Sequence, residues 1–413
     1  MWYSKAFYGS FGDAYLQDTT LEGGRSEESI PEMVEIAITV IQKYTSKPPL
    51  SLFQKKDLKT FQKVLDKLSK AANTSFWGDH TSSSFAKYLE DRSQEIQDLA
   101  VGDFLLWCGG WSGTDGGHAI MYMVDRTSKK EVSFIVMNTG QGVGYHPGVG
   151  SDKTKRHTQM RHNNIPIENI IDTSWLYFLF RIKAFGHKDH DEKIFYELVL
   201  PSLVETTLAQ SSAKSGVDEF VVPETLQRSG TCYYRCILCA TRYSMRRLGL
   251  EQKQVKQMLH VIRRGYVHRV IADLKKSHEM IRNNDPNDPS QRGLYPSQVS
   301  LIRLAASQLG YSAVKESRSK RMMEGTLSEI VKEVEMIEEL VSTLPVFGGP
   351  KEYQNQWMAE TLKTHSESKT SENQALTGNF SSPTVLRSSF KKNLKKYHGP
   401  EKVEEQVESL DFS

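Results

Sequence analysis

Residue types that together perform thiol chemistry occur in two short stretches of the chain. In the first, Gly116-Gly117-His118-Ala119-Ile120 opens an apolar run, and a second apolar run closes on Met137-Asn138-Thr139-Gly140. In the second stretch, Gln227-Arg228-Ser229-Gly230-Thr231-Cys232-Tyr233-Tyr234 leads into an apolar segment of helical character. An amide oxygen that holds one ring nitrogen of an imidazole fixes its tautomer and leaves the other nitrogen to act as a base. A cysteine at the first turn of a helix meets N–H groups and a dipole that favour an anion. Beside a histidine, such a thiol drops from a pKa of about 8.5 to about 3.5–7.5 and becomes a nucleophile at neutral pH. Gln227 lies five positions before Cys232. Its side-chain amide, with the Cys232 backbone N–H, is expected to form an oxyanion hole. Gly230 lets the backbone approach a substrate closely.

The elements that must position these groups follow from the hydrophobic periodicity. Ala119 to Val124 and Val132 to Met137 read as strands, and Asp125 to Glu131 as their hairpin turn. Paired strands lie about 4.8 Å apart, so His118 and Asn138 meet at the open end of this hairpin. Asp103 to Cys108 is a further apolar run introduced by Gly102, and Gly140 to Gly150 reads as a flexible loop beside the site. Trp175 to Ala184 is a strand or a buried helix, and its periodicity does not choose between them. A helix is expected from Cys232 to Leu248, capped by Gly249. Ile30, Met33, Val34, Ala37 and Ile41 form one helical stripe, and Phe61, Val64, Leu65 and Leu68 belong to another. Lys193 to Leu208 is helical in pattern, and more helices are expected up to Leu344. The expectation is an α+β fold: residues 1–100 a helical N-terminal region, 101–250 an α+β catalytic core, 251–350 a helical C-terminal region, and 351–413 a mostly disordered tail rich in Ser and Thr.

Composition narrows the classes. The chain of 413 residues carries 53 basic and 50 acidic residues, a net charge of +3 that gives no global pull toward nucleic acid. The basic clusters at Lys153 to His157, Arg318 to Arg321 and Lys391 to Lys396 are short and scattered, so a nucleic-acid partner is not expected. Four cysteines, three of them within eight residues, do not make a disulfide scaffold. Reducing, cytoplasmic surroundings are expected, with the nucleus as the alternative. The most apolar stretch, Trp175 to Ile182, is interrupted by Arg181 and falls far short of the roughly 20 residues of a membrane span. The first residues lack the basic and apolar regions of a signal peptide.

The two chemical stretches carry a resemblance. Gly117-His118-Ala119-Ile120, a hairpin and Val136-Met137-Asn138-Thr139-Gly140-Gln141-Gly142 resemble the His and Asn segments of papain-type cysteine proteases. Gln227 to Tyr234 is similar to the Gln, small-residue, Cys, aromatic stretch that opens the central helix of that family. The order His118, Asn138, Gln227, Cys232 is similar to that of the SUMO-deconjugating, adenovirus-type and YopJ-like cysteine peptidases, whose site is permuted relative to papain. The resemblance implies a papain-like core, with an antiparallel sheet carrying His118 and Asn138 and a central helix headed by Cys232. It implies a thiol-dependent hydrolase of peptide or isopeptide bonds, with Cys232 as nucleophile, His118 as base, Asn138 as its orienter and Gln227 at the oxyanion. The expected partner is a protein substrate, with ubiquitin or a ubiquitin-like modifier as the narrower expectation, and no cofactor is needed. The chain departs from the permuted group in three ways. Asn138 stands where Asp or Glu is commoner, no Trp follows His118, and Cys232 comes 114 residues after His118.

Other readings compete for the same residues. In a non-enzymatic interaction scaffold, the helical N-terminal region, the helical region after Gly249 and the disordered tail would bind partners around a structural α+β core. Cys232, Cys236 and Cys239 would then simply be one packed helical face. The same spacing, Cys-x3-Cys-x2-Cys, matches an iron–sulfur motif of radical-SAM enzymes, but no βα repeat accompanies it. The proposed thiol site would serve acyl transfer as well as hydrolysis. A zinc site built with His187 or His190 lacks paired ligand spacing, and Gly140 to Gly150 with Lys153 fails the pattern of a phosphate-binding loop.

Overall fold

The computed structural model describes residues 25–45, 55–76, 81–113, 116–149, 152–187, 189–204, 220–221, 231–282 and 326–343, with single positions between 299 and 310. They fall into two compact units, one ending at Ile262 and the other beginning at Arg263. The first unit opens with three helices, α1 (Ser26–Thr45), α2 (Lys55–Asn73) and α3 (Ser82–Gln97). Strands β1 (Phe104–Gly113), β2 (Gly116–Arg126) and β3 (Glu131–Met137) follow. A two-stranded ribbon of β4 (Gly148–Val149) and β5 (Asp152–Arg156) leads to β6 (Gln159–Pro166). Then come α4 (Ile167–Ile170), α5 (Thr173–Ala184), a π-helical turn at Ile194–Val199 that runs into α6 (Leu200–Leu203), and α7 (Cys232–Arg247). The unit boundary falls within α8 (Gln252–Arg282), and α9 (Thr326–Thr343) belongs to the second unit. There Arg264 and His268 of α8 both reach Glu333 of α9, at 2.7 and 2.6 Å. The architecture is α+β.

The main sheet is antiparallel throughout, in the order β1-β2-β3-β6. Side chains alternate across a strand, so each strand feeds two layers. Ile120, Tyr122 and Val124 of β2 join Phe134 and Val136 of β3 in a core completed by Phe85, Trp175, Leu176, Phe180 and Phe195 from the helical elements. The opposite face carries Met121, Met123, Ile135 and Met137, all fully buried, and α7 packs against β2 and β3. Helix α7 is buried on nearly every side, including Tyr233, Tyr234, Cys236, Ile237 and Tyr243. A helix buried over most of its circumference belongs in an interior; Arg235, Arg242 and Arg246 form its one half-buried stripe, and α1 and α2 cover part of the rest. Its end closes through Gly249 N–H to the Arg246 carbonyl at 2.9 Å and Leu250 N–H to the Met245 carbonyl at 3.0 Å. This is the double bond of a Schellman cap, at the glycine where the sequence places it.

Two stretches resolve in ways their periodicity leaves open. Trp175 to Ala184 is helical: Asp172 accepts the Ser174 N–H at 2.8 Å as its cap, and Trp175, Leu176, Leu179, Phe180 and Ile182 form the buried side. The polar, basic segment before Asn164 contains β6. Two of its polar side chains bond to other elements: Gln159 Nε2 donates to Cys239 Sγ at 2.9 Å, and Arg161 pairs with Asp125 at 3.1 Å. Asp125, fully buried on β2, also takes both guanidinium bonds of Arg247 at 3.0 Å, which ties the end of α7 to the sheet. Gln227, the linker at 209–216, the turn-rich stretch 283–290 and the tail at 351–413 lie outside the described residues.

Candidate active site

The hairpin of β2 and β3 brings His118 and Asn138 together. In its register Met121 faces Met137, so Asn138 continues one residue past β3 at the end where β2 begins. His118 Nε2 lies 2.8 Å from Asn138 Oδ1. Two backbone partners that each play one role only favour one orientation of the amide. The Gly140 N–H donates to Oδ1 at 2.9 Å, and Asn138 Nδ2 donates to the Gln141 carbonyl at 2.6 Å. Since Oδ1 only accepts, His118 Nε2 carries the proton and Nδ1 is left as the basic nitrogen. Burial pushes the His118 pKa down to about 4, against the opposing effect of the Asn138 bond. At neutral pH the ring is therefore a neutral acceptor at Nδ1.

Cys232 is the first residue of α7, with Thr231 as its N-cap. The Ala119 N–H points to Cys232 Sγ at 3.5 Å, so the sulfur sits against the backbone of the residue that follows His118. Both groups are nearly closed from solvent, Cys232 at 8% and His118 at 6% exposure. The other cysteines are set differently. Cys108 and Cys236 are buried, and burial pushes both thiols up to about 12. Cys236 Sγ lies 3.3 Å from Ser26 Oγ, while Cys239 Sγ receives the Gln159 amide. The three sulfurs of the Cys-x3-Cys-x2-Cys spacing thus meet three different partners along one unbroken helix. Among the described residues no group of three or more His, Cys, Asp or Glu side chains gathers as a metal site. His187 and His190 stand with ring centroids 5.4 Å apart, and His187 Nδ1 is 3.3 Å from Asp189.

Several residues complete the site without having been singled out by their sequence context. Trp111 faces His118 in the β1–β2 register, its ring centroid 5.0 Å from the imidazole, and is 2% exposed. It covers the ring from the neighbouring strand, where sequence reading looks for a tryptophan after the histidine. Gly110 permits this approach. Its φ is +127°, and a Cβ there would stand 1.9 Å from the His118 carbonyl oxygen. Tyr196, from the π-helical turn, accepts the second Asn138 Nδ2 bond at 3.1 Å and contacts His146 Nε2 at 2.8 Å. The only sequence signals for these were the glycine pair before Trp111 and an aromatic pair, Phe195-Tyr196, inside a helical pattern.

No model of a known protein family matches the chain, and no curated protein matches it significantly.

Proposed function

We propose that the chain is a papain-like, thiol-dependent hydrolase of peptide or isopeptide bonds. The observation that carries this reading is the convergence of Cys232 Sγ on the backbone beside His118, while Asn138 holds the far side of the same imidazole. His118 Nδ1 takes the thiol proton as Sγ attacks the carbonyl carbon. The oxyanion meets the Cys232 N–H at the head of α7 together with the Gln227 side chain, whose role rests on its sequence position. When the C–N bond breaks, the protonated His118 returns its proton to the leaving amine, and an acyl thioester remains on Cys232. Water attacks that thioester with His118 again as base, which releases the acid and restores the thiol. An amine in place of water would make the same intermediate an acyl donor.

Trp111 supports the reading from another direction, because a buried ring lying over His118 keeps water from the bond to Asn138. The near-complete burial of Cys232 and His118 suits a thin, extended chain of small residues at the scissile bond better than a folded surface. That favours a ubiquitin-like modifier, with its narrow glycine-ended tail, as the substrate class. The test is labelling with ubiquitin-like proteins that end in an electrophile, on the wild type, Cys232→Ala and His118→Ala. A covalent adduct lost in both variants is the expected result. If Cys232 forms none and reacts with iodoacetamide no faster than Cys108, the hydrolase reading is wrong and an interaction scaffold takes its place.

A further inference from the structure

Behind Asn138 the hydrogen bonds continue through side chains that take no part in the thiol chemistry. His146 Nδ1 lies 2.9 Å from the His157 carbonyl. A carbonyl only accepts, so Nδ1 carries the His146 proton. Burial pushes the His146 pKa down to about 3, which leaves Nε2 as a bare acceptor at neutral pH. The Tyr196 O–H, at 2.8 Å, donates to it. With its one proton committed there, the Tyr196 oxygen offers Asn138 only lone pairs, and Asn138 Nδ2 donates to them at 3.1 Å. Every donor and acceptor from His157 to His118 then points one way. Asn138, Tyr196 and His146 are each at most 1% exposed, so water does not stand in for any member.

We infer that Tyr196 and His146 are positioning residues that hold the Asn138 amide in one orientation and thereby keep the His118 proton on Nε2. The chemical logic lies in the Tyr196 hydroxyl. On its own it could donate to Asn138 or accept from it, and a donating hydroxyl would favour the flipped amide. A flipped amide would present its NH2 to His118 and to the Gly140 N–H, and would draw the His118 proton to Nδ1, the nitrogen that must stay free. His146 removes that choice by claiming the proton. Tyr196 reaches this position from a π-helical turn, a wider ring of backbone bonds that recurs at functional sites. Tyr145 stacks on the outer face of Tyr196 at 4.8 Å and 8°, holding the phenol in plane. The inference rests on the proposed hydrolase only for its catalytic meaning; the proton assignment stands on the hydrogen bonds themselves.

The test is long-range proton–nitrogen correlation NMR on protein labelled with 15N-histidine, with His118 and His146 assigned by His118→Gln and His146→Gln. In the wild type at pH 7, opposite tautomers are expected: Nε2–H at His118 and Nδ1–H at His146. An Nε2–H form at His146 would overturn the inference without any further variant. In His146→Phe, checked for folding by its melting curve, the Tyr196 hydroxyl is free to donate to Asn138, so His118 should become a tautomer mixture, and iodoacetamide labelling of Cys232 should slow about tenfold. A His118 spectrum unchanged in that variant overturns the role of Tyr196 and His146 and leaves the hydrolase untouched. A shifted tautomer with a Cys232 that is equally slow in wild type and variant upholds the proton lock and removes the hydrolase. The two failures are therefore read on different axes.

Discussion

At the scale of single residues the thiols divide sharply. Burial holds Cys108 and Cys236 protonated, with pKa values up to about 12, whereas Cys232 lies at a helix N-terminus against the backbone N–H that follows His118. Only a thiolate is a competent nucleophile, so the folded protein should incorporate iodoacetamide at Cys232 first, by at least an order of magnitude over Cys108 and Cys236 at pH 7.5. Peptide mass mapping of a time course checks this, and uniform slow labelling would count against the site. Gln227 makes a separate prediction. If its amide steadies the oxyanion, Gln227→Ala should lower turnover by about 10²–10³ while leaving iodoacetamide labelling near the wild-type rate, because alkylation forms no oxyanion. Asn138→Ala should do the reverse, slowing labelling itself, since it frees the imidazole to turn away from the sulfur.

The site depends on joints between elements, and two of them are exposed to a direct test. Gly110→Ala would force a Cβ against the His118 carbonyl at a backbone angle that side chains rarely adopt. The combined strain and overpacking should cost about 3 kcal/mol or more in denaturant unfolding. Asp125→Ala would leave Arg161 and Arg247 without their shared carboxylate, a loss of about 3 kcal/mol given that the guanidinium groups keep some contact with solvent. A change below 1 kcal/mol in Asp125→Ala would mean the sheet and α7 are held without help from this carboxylate. The sequence displays the first joint only in part. The His118–Asn138 hairpin and the helix headed by Cys232 are legible because each is local: short apolar runs lie on both sides of a polar turn, and a capping glycine follows a helical pattern. Trp111, Tyr196 and His146 are not legible in that way. They come from separate segments, and the π-helical turn at Ile194–Val199 has the same hydrophobic pattern as an ordinary helix. β6 stays hidden for a related reason, since its buried Gln159 and His162 are polar, and Gln159 is held by Cys239 of α7.

Among the described residues, three buried histidines tie stability to pH below about 6.5. His118, His146 and His162 are each at most 6% exposed, and burial pushes their pKa values down to about 4, 3 and 4. In the unfolded chain a histidine titrates near 6.5. Between that value and the depressed folded values, the unfolded state binds more protons than the native state, so stability rises with pH. It is fully present above pH 6.5 and declines as the pH falls toward 4, by up to about 1.4 kcal/mol per pH unit for each histidine in its window. The groups around these rings limit which of them moves first. The His146 ring bonds to the Tyr196 hydroxyl and a backbone carbonyl, and His162, His157 and Arg156 around it all oppose its protonation. His118 has the Asn138 oxygen, which already uses the Nε2 proton, and a second proton on Nδ1 would abolish the proposed base. Urea unfolding at pH 7.5, 6.5, 5.5 and 4.5 should therefore show a flat region followed by a steep loss below 6. The Cys232 labelling rate, corrected for thiolate fraction, should hold to a lower pH than stability does, because the folded His118 remains neutral to about 4. Stability that stays constant from 7.5 to 4.5 would mean that these three rings are hydrated in solution, and the tautomer chain behind Asn138 would lose its premise.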